Sequence, residues 1–537
     1  MQVIKFFIFP TLNRFLILLL ICVSFQSCRL IAPYQAPLIT TPQVWKNASK
    51  ISTPEKWEKD SVNEGPSNLA KKETSSFNQE QEQRFEQSKK DLDYWWEIFD
   101  DPILNKLEEQ ALELNHTLGA AFERVIQSRA IARIDRASLF PTVNFSPSYA
   151  RSGMLQKNAL GKAIPSSQQN NPPDAMFSNL PQTVRGIQSQ YFLSFDFNYE
   201  LDLWSKLTNT YESAIFRSQA STQAYLSILL TLTADIASNY FQLRDLDSQQ
   251  AILQRTIEAR QKAFDINQAR FNAGLIVYSD VSRAKVELAR ARSDLANIQR
   301  LRSLQENIIA TLTGTPATVF SIKFNPINAL PPSIPTGLPS ELLYRRPDIA
   351  EAERNLAASY AEIGIAYASF FPTMNLNAGF GLESPFVHSL ISWKARLWEI
   401  GLNLIQTVFD GGRNCANLAF TKSRFRETLA NYQENVLIAF QDVEDSLVNL
   451  RQKALQAEAL EAGVKAAKET LKLSQMRYER GLINYLDVVD AERTLLETEQ
   501  NTVIVLGERY ISTIRLIKAL GGGWNTQFYN PKCWETD

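Results

Sequence analysis

The chain has 537 residues, with 56 Lys and Arg against 57 Asp and Glu for a formal net charge of −1, and only four Cys and two His. That length accommodates two or more ordinary domains, and the balanced charge removes any global basic field for nucleic acid. With no CxxC pair, HExxH box or Gly-rich phosphate loop, no metal site, cofactor or enzyme is expected.

The chain opens on a targeting pattern. Lys5 and Arg14 precede the apolar run at 15–25, which is shorter than the roughly 20 residues a transmembrane helix needs. The segment 1–27 resembles a bacterial lipoprotein signal, with Ser27 before Cys28 as the acylated residue, although Phe25 stands where Leu is usual. Cys22 follows bulky Ile21 and fits that resemblance less well. An ordinary cleaved signal or an uncleaved anchor is the alternative. Lipid on Cys28 would hold the mature N-terminus in a membrane. By the same resemblance Arg29, in a place where Asp is absent, favours the outer membrane. Cys415 and Cys533 offer no disulfide framework. Residues 28–94 read as an acylated arm or linker, polar and charged over 46–90.

From Trp95 onward the chain states its order of parts twice. A helix over about 103–138 is stopped by Pro141, and a β-hairpin follows over 141–203. Residues 205–273 contain neither Pro nor Gly, and Leu246, Leu253, Ile257, Phe264 and Phe271 mark a heptad seam. A long helix of roughly 100 Å is expected there, then a turn and a second helix over 279–313, closing a helical hairpin over 204–314 and a first repeat over 95–320. Residues 321–340 form a connector, with five prolines between Phe324 and Pro339. The second repeat, 341–522, has a helix over 348–369 ended by Pro372, a β-hairpin over 372–410 and a helical hairpin over 411–521. A tail, 523–537, completes the chain. An offset of 207 residues relates Leu203–Gly314 to the second half without a gap; upstream, "ASLFPTVN" at 137 matches "ASFFPTMN" at 368, offset 231. The difference of 24 residues falls in the loop-like segment 151–186.

In the hairpins the period changes to two. Tyr191, Leu193, Phe195, Phe197, Tyr199 and Leu201 alternate with Ser194, Asp196, Asn198, Glu200 and Asp202. Val143, Phe145 and Tyr149, then Leu376, Ala378 and Phe380, then Trp398, Ile400, Leu402 and Leu404 repeat the pattern. A soluble half-buried sheet would show such alternation, and so would a transmembrane barrel with aromatic residues to lipid and polar ones to a wet lumen. Four strands cannot close a barrel, and lipid tolerates no open edge, so the second reading requires sister copies.

"RFNAGLIVYSDVSRAK" at 270 and "RYERGLINYLDVVDAE" at 477 are the two helical turns. Gly274 and Gly481 permit backbone angles that other residues resist. Asp280 and Asp487 are suited to capping the next helix. In "RRPD", Pro347 and Asp348 mark a helix start.

"LPSELLYRRPDIAEAERNLAASYAEIGIAYASFFP" at 338–372, "WWEIFDDPILNKLEEQALELN" at 95–115, the two turns and "FDGG" resemble the TolC-like outer-membrane efflux family, in its lipoprotein branch. The resemblance covers roughly Trp95 to Gly522. It implies an α+β membrane protein: a homotrimeric twelve-stranded β-barrel, four strands per protomer, continued by a long periplasmic α-helical barrel. It implies a passive outer-membrane exit duct of a tripartite efflux system, opened by a periplasmic membrane-fusion adaptor and driven by an inner-membrane transporter of RND type. Gly274, Leu275 and Tyr278 with Gly481, Leu482 and Tyr485 would be the adaptor-contacting tips. Asp487 and Asp490, with Asp280, would line the aperture; Arg283 is the first-half counterpart of Asp490. Relatives carry a basic residue of an inter-hairpin lock where this chain has Ile483, while Tyr478 is kept. A channel of one-component (type I) protein secretion shares the fold, and a lipid-anchored periplasmic coiled-coil scaffold without a pore is the reading from another class.

Overall fold

A computed structural model describes residues 29–37, 42, 45–46, 94–153, 187–334 and 342–522. The signal 1–27, Cys28, most of the arm, the 154–186 insert, the end of the connector and the tail from 523 lie outside the described residues. The helices longer than five residues are α1 Pro102–Leu114, α2 His116–Ala137, α3 Lys206–Asn272, α4 Tyr278–Leu312, α5 Pro347–Ala368, α6 Arg413–Glu479 and α7 Tyr485–Ala519. The strands are β1 Thr142–Gly153, β2 Ile187–Leu201, β3 Thr373–Ser384 and β4 Arg396–Ile405. Among the described residues no helix is long and apolar enough to cross a membrane. The chain divides into two compact units, and each draws on both sequence halves.

The first unit holds the sheet and the adjoining ends of α2, α3, α5 and α6. The strands form one antiparallel sheet in the order β1-β2-β3-β4, so among the described residues β1 and β4 each keep one open edge. The register aligns the alternating positions of all four strands. Phe145 pairs with Phe195, Phe195 with Phe380 and Phe380 with Trp398, one aromatic row across one face; Val143, Phe197, Ala378 and Ile400 form the next. All four rings of the aromatic row are exposed. The opposite face carries Asn144, Asp196, Gly379 and Glu399 in one row. The strand–helix junctions are pinned locally. Asp202 accepts from the Leu207 and Thr208 amides at 3.0 and 2.8 Å, and Trp204 stacks on Phe371 while donating to the Pro372 carbonyl at 2.8 Å. Asp410 accepts from the Gly412 and Asn414 amides, both at 2.9 Å. The first described residues of the arm pack here. Arg29 pairs with Glu212, and Ile31 fills the notch that Gly364 leaves beside Asn209.

The second unit holds most of α3, α4, α6 and α7, with α1 and the start of α5. Its core gathers Trp95, Trp96, Leu104, Leu107, Tyr240, Phe241 and Ile514. The paired tryptophans of the sequence motif are thus packing residues; Trp95 donates to Thr233 Oγ1 at 3.3 Å. Asp101 caps α1 through the Ile103 and Leu104 amides and also accepts from the Tyr240 hydroxyl.

The single helix expected over 103–138 is two. Asn115 is extended at φ −71° and ψ 116°; its Oδ1 accepts from the Leu118 amide at 2.9 Å and its Nδ2 donates to the Leu312 carbonyl at 2.8 Å. A side chain that starts one helix and caps the end of another overrides local propensity. Arg346, 231 residues on, donates to the Ala519 carbonyl, 207 residues after Leu312. Arg346 also pairs with Asp348 and Asp442, so "RRPD" ties α5 to α6 and α7 besides starting a helix.

The described part of the connector is tied to α3 and α4 through a buried ion-pair network. Asp247, fully buried, accepts from Arg244 at 3.0 Å, Arg302 at 2.6 Å and the Asn325 amide at 2.9 Å. Arg244 and Arg302 in turn donate to the Lys323 and Ile322 carbonyls.

Glu108 of α1 is fully buried, and neither carboxylate oxygen has a partner among the described residues. Burial pushes its carboxyl well above the ordinary range. The folded chain therefore holds a proton there that the unfolded chain releases near 4.5, and the site loses stability as pH rises above that value. Glu108→Leu is expected to stabilise the protein at pH 7 by about 1–3 kcal/mol. It should also remove the stability that wild type gains when acidified towards pH 5; unfolding curves at both pH values check this.

Candidate functional site: the two hairpin tips

Each long helix ends in the same device. The Gly274 amide bonds the Phe271 carbonyl at 2.8 Å and the Leu275 amide bonds the Arg270 carbonyl at 2.9 Å. In the second hairpin Gly481 bonds Tyr478 and Leu482 bonds Arg477, both at 2.9 Å. This is the Schellman closure, which needs a left-handed residue. Both glycines have φ of +73°, and no atom beyond the adjoining residues lies within 4 Å of where a Cβ would stand. Backbone angle alone, not crowding, selects glycine.

The following helices begin at Tyr278 and Tyr485, with Val277 and Asn484 at the cap and no side-chain cap bond at either. Asp280 and Asp487 lie in the first turns, where a carboxylate complements the helix dipole, so the expected capping is not realised as a hydrogen bond. Asp280 lies 3.7 Å from Arg283, and Asp490, exposed, lies 3.7 Å from Arg493. Asp487 is exposed as well.

The two tips present different surfaces. Leu275, Val277 and Tyr278 are all exposed, as are Leu482 and Leu486. Tyr278 is 64% exposed and rests on Phe271, whereas its counterpart Tyr485 is 4% exposed and packs with Ala284, Val488 and Val489. Ile483 joins that cluster in place of a basic residue.

Two links join the hairpins above the turns. The Tyr478 hydroxyl of α6 donates to Asn267 Oδ1 of α3 at 3.2 Å, beneath the Arg270 guanidinium. Further along, Glu287 of α4 is buried among three guanidinia: Arg493 of α7, Arg260 of α3 at 3.4 Å and Arg290 at 3.7 Å. Arg493 Nε donates to Glu287 Oε1 at 3.2 Å, and Arg260 also donates to the Glu287 carbonyl at 2.9 Å. Burial raises the Glu287 carboxyl, but the Arg493 bond and the surrounding positive charge outweigh it and hold it below the ordinary range.

Glu287, Arg493 and Asn267 were not among the residues singled out from sequence. A signal for Glu287 exists: it stands at a core position in the run Ala284, Glu287, Leu288, Ala291, where an unpaired charge would be costly.

A family model described as outer membrane efflux protein matches residues 107–315 and 338–522. The pyoverdine export outer membrane protein OpmQ of Pseudomonas aeruginosa is 30% identical over 437 residues, covering 81% of this chain and 88% of that protein. The probable outer membrane lipoprotein SilC of Salmonella typhimurium is 27% identical over 431 residues, covering 80% and 88%. The open state of the MtrE outer membrane channel of Neisseria gonorrhoeae superposes with a TM-score of 0.72 at 27% identity, covering 92% of this chain and 98% of that one.

Proposed function

The chain belongs to the outer membrane efflux protein family, a family of channels rather than enzymes, and from that premise we propose that it is the passive exit duct of a tripartite efflux system. Three copies pool their sheets into a twelve-stranded barrel in the outer membrane, and their paired helices into a hollow periplasmic cylinder. Two quasi-equivalent hairpins per protomer then make a ring of six. The observation that carries this is the sheet: one face exposed and aromatic, the other polar, with β1 and β4 unpaired at their outer edges among the described residues. In lipid those edges must find partners, and two sister chains supply them.

An inner-membrane transporter, of RND type, supplies the energy, and a periplasmic adaptor opens the duct. The exposed apolar tips at Leu275, Val277, Tyr278 and Leu482 support an adaptor contact there. Lipid on Cys28 fixes the chain to the outer membrane; the pairing of neighbouring Arg29 with Glu212, near the start of α3, supports that placement.

In the closed trimer Asp487 and Asp490 form rings of carboxylates at the aperture, with Asp280 on the first hairpin. Closely spaced carboxylates attract cations. Purified full-length chain is expected to form a heat-dissociable trimer and to conduct in planar bilayers, with block by divalent cations. Asp487→Ala with Asp490→Ala should raise conductance and relieve the block; unchanged conductance and block in this variant would remove the gate assignment. No conductance at all from wild type would remove the duct itself.

A further inference from the structure

Halfway along the seam between α3 and α7 an acid stands with one carboxylate oxygen unpartnered among the described residues. Asp245 of α3 lies against the backbone of α7 at Gly507: a Cβ at that glycine would stand 2.9 Å from Asp245 Cβ and 3.0 Å from its Cγ. Asp245 Oδ2 accepts from Gln249 at 3.0 Å, while Oδ1 is buried with no hydrogen-bond partner among the described residues. Glu508, next to the notch on α7, faces it with like charge, and its own cation, Lys453, comes from α6. The neighbouring guanidinium of Arg244 is turned instead to Asp247 and over the Tyr240 ring. Arg302 of α4 is likewise engaged with Asp247 and Glu306. Among the described residues no cation therefore compensates the carboxylate. The feature occurs once: at an offset of 207, Gln452 stands for Asp245 and Arg300 for Gly507.

We propose that Asp245, seated in the Gly507 notch, is a proton-operated latch between the two helical hairpins, closed when its carboxyl is neutral and released when it ionises. A neutral carboxyl packs on the α7 backbone as a small polar group. An ionised one puts an unpaired charge into a desolvated seam beside Glu508, a state relieved by admitting water. Burial, with Glu508 adding to it, raises the carboxyl from 3.8 to about 7. In the separated seam the group has its ordinary value, so the latch's contribution is complete at low pH and is lost as pH rises through about 7. The Glu287 carboxylate near the tips works with the opposite sign, since its positive neighbours favour the charged form.

The latch deepens the duct reading, because the hairpins it joins are those whose separation would open the aperture. Its test does not need a conducting protein. Spin labels at Gln254→Cys of α3 and Asn501→Cys of α7, both exposed, report the seam width. They are placed in full-length chain with Cys415 and Cys533 as serine, diluted in unlabelled chain. From pH 6 to pH 8 the ionised fraction of such a group rises from about one tenth to about nine tenths. The separated population in wild type should grow over that interval. Asp245→Asn should hold the short distance at both pH values, and Glu508→Gln, which removes the like charge, should reduce the separated population at pH 8. A wild-type distance unchanged between pH 6 and 8, or a shift that persists in Asp245→Asn, would overturn the latch. A loss of conductance without change in these distances bears on the duct and not on the latch.

Discussion

Ile400→Arg is expected to abolish assembly of the protein in the outer membrane. Ile400 lies at the middle of β4, in the row Val143, Phe197, Ala378 and Ile400 on the exposed apolar face. A guanidinium placed there in a barrel faces lipid near its midplane, at a cost of about 2–4 kcal/mol per copy. A trimer carries that cost three times in one cooperative assembly, so the heat-dissociable species should vanish from detergent extracts. Asn403→Arg is the control. Asn403 pairs with Asn375 on the polar face of the same strand, where an arginine meets water. It should assemble normally and change only conductance and ion preference. If Ile400→Arg assembles as well as Asn403→Arg, the apolar face is not lipid-facing and the barrel reading fails. β4 is an edge strand, so the same variant also tests closure by a neighbouring copy.

Glu287→Ala should unlatch the hairpins near the tips. The carboxylate is nearly inaccessible and holds Arg260, itself buried, together with Arg493 of the other hairpin. Removing one partner of a buried pair leaves an uncompensated charge and typically costs about 3–5 kcal/mol. Here the cheapest relief is for α7 to move away with Arg493, the motion by which the proposed duct would open. Single-channel conductance should rise several-fold, with Glu287→Gln intermediate because it keeps a hydrogen-bond acceptor. Because the carboxyl lies below its ordinary range in this structure, this link is present above about 4.5 and fails as pH falls through its lowered value. Acid should therefore weaken the tip link while it strengthens the Asp245 seam. Conductance of Glu287→Ala equal to wild type across pH 5 to 8 would show that the buried pair plays no part in closure.

The element pattern was legible in the sequence to within a residue or two at the long helices: α3 and α6 fill the Pro-free stretches, each 67 residues long. The strands follow the alternation of Phe195, Phe380 and Trp398, and the turns follow Gly274 and Gly481. Those features depend on neighbours a few residues apart, through the 3.6 and 2.0 periods and the φ preference of glycine. The heptad seam illustrates where that reach ends. Leu246 and Leu253 are buried, while Ile257, Phe264 and Phe271 are only partly so. Identical spacing does not say which part of a helix meets a partner within the same chain.

The sequence by itself thus determined two helical hairpins, two β-hairpins and their glycine turns, because these are set by local backbone and side-chain periodicity. Tertiary structure alone decided the break at Asn115, the opposite fates of Tyr278 and Tyr485, and the partners Glu287–Arg493, Tyr478–Asn267 and Asp245–Gly507. Each of these depends on a contact between residues far apart along the chain, Asn115 with Leu312 among them, and packing between distant segments makes the choice.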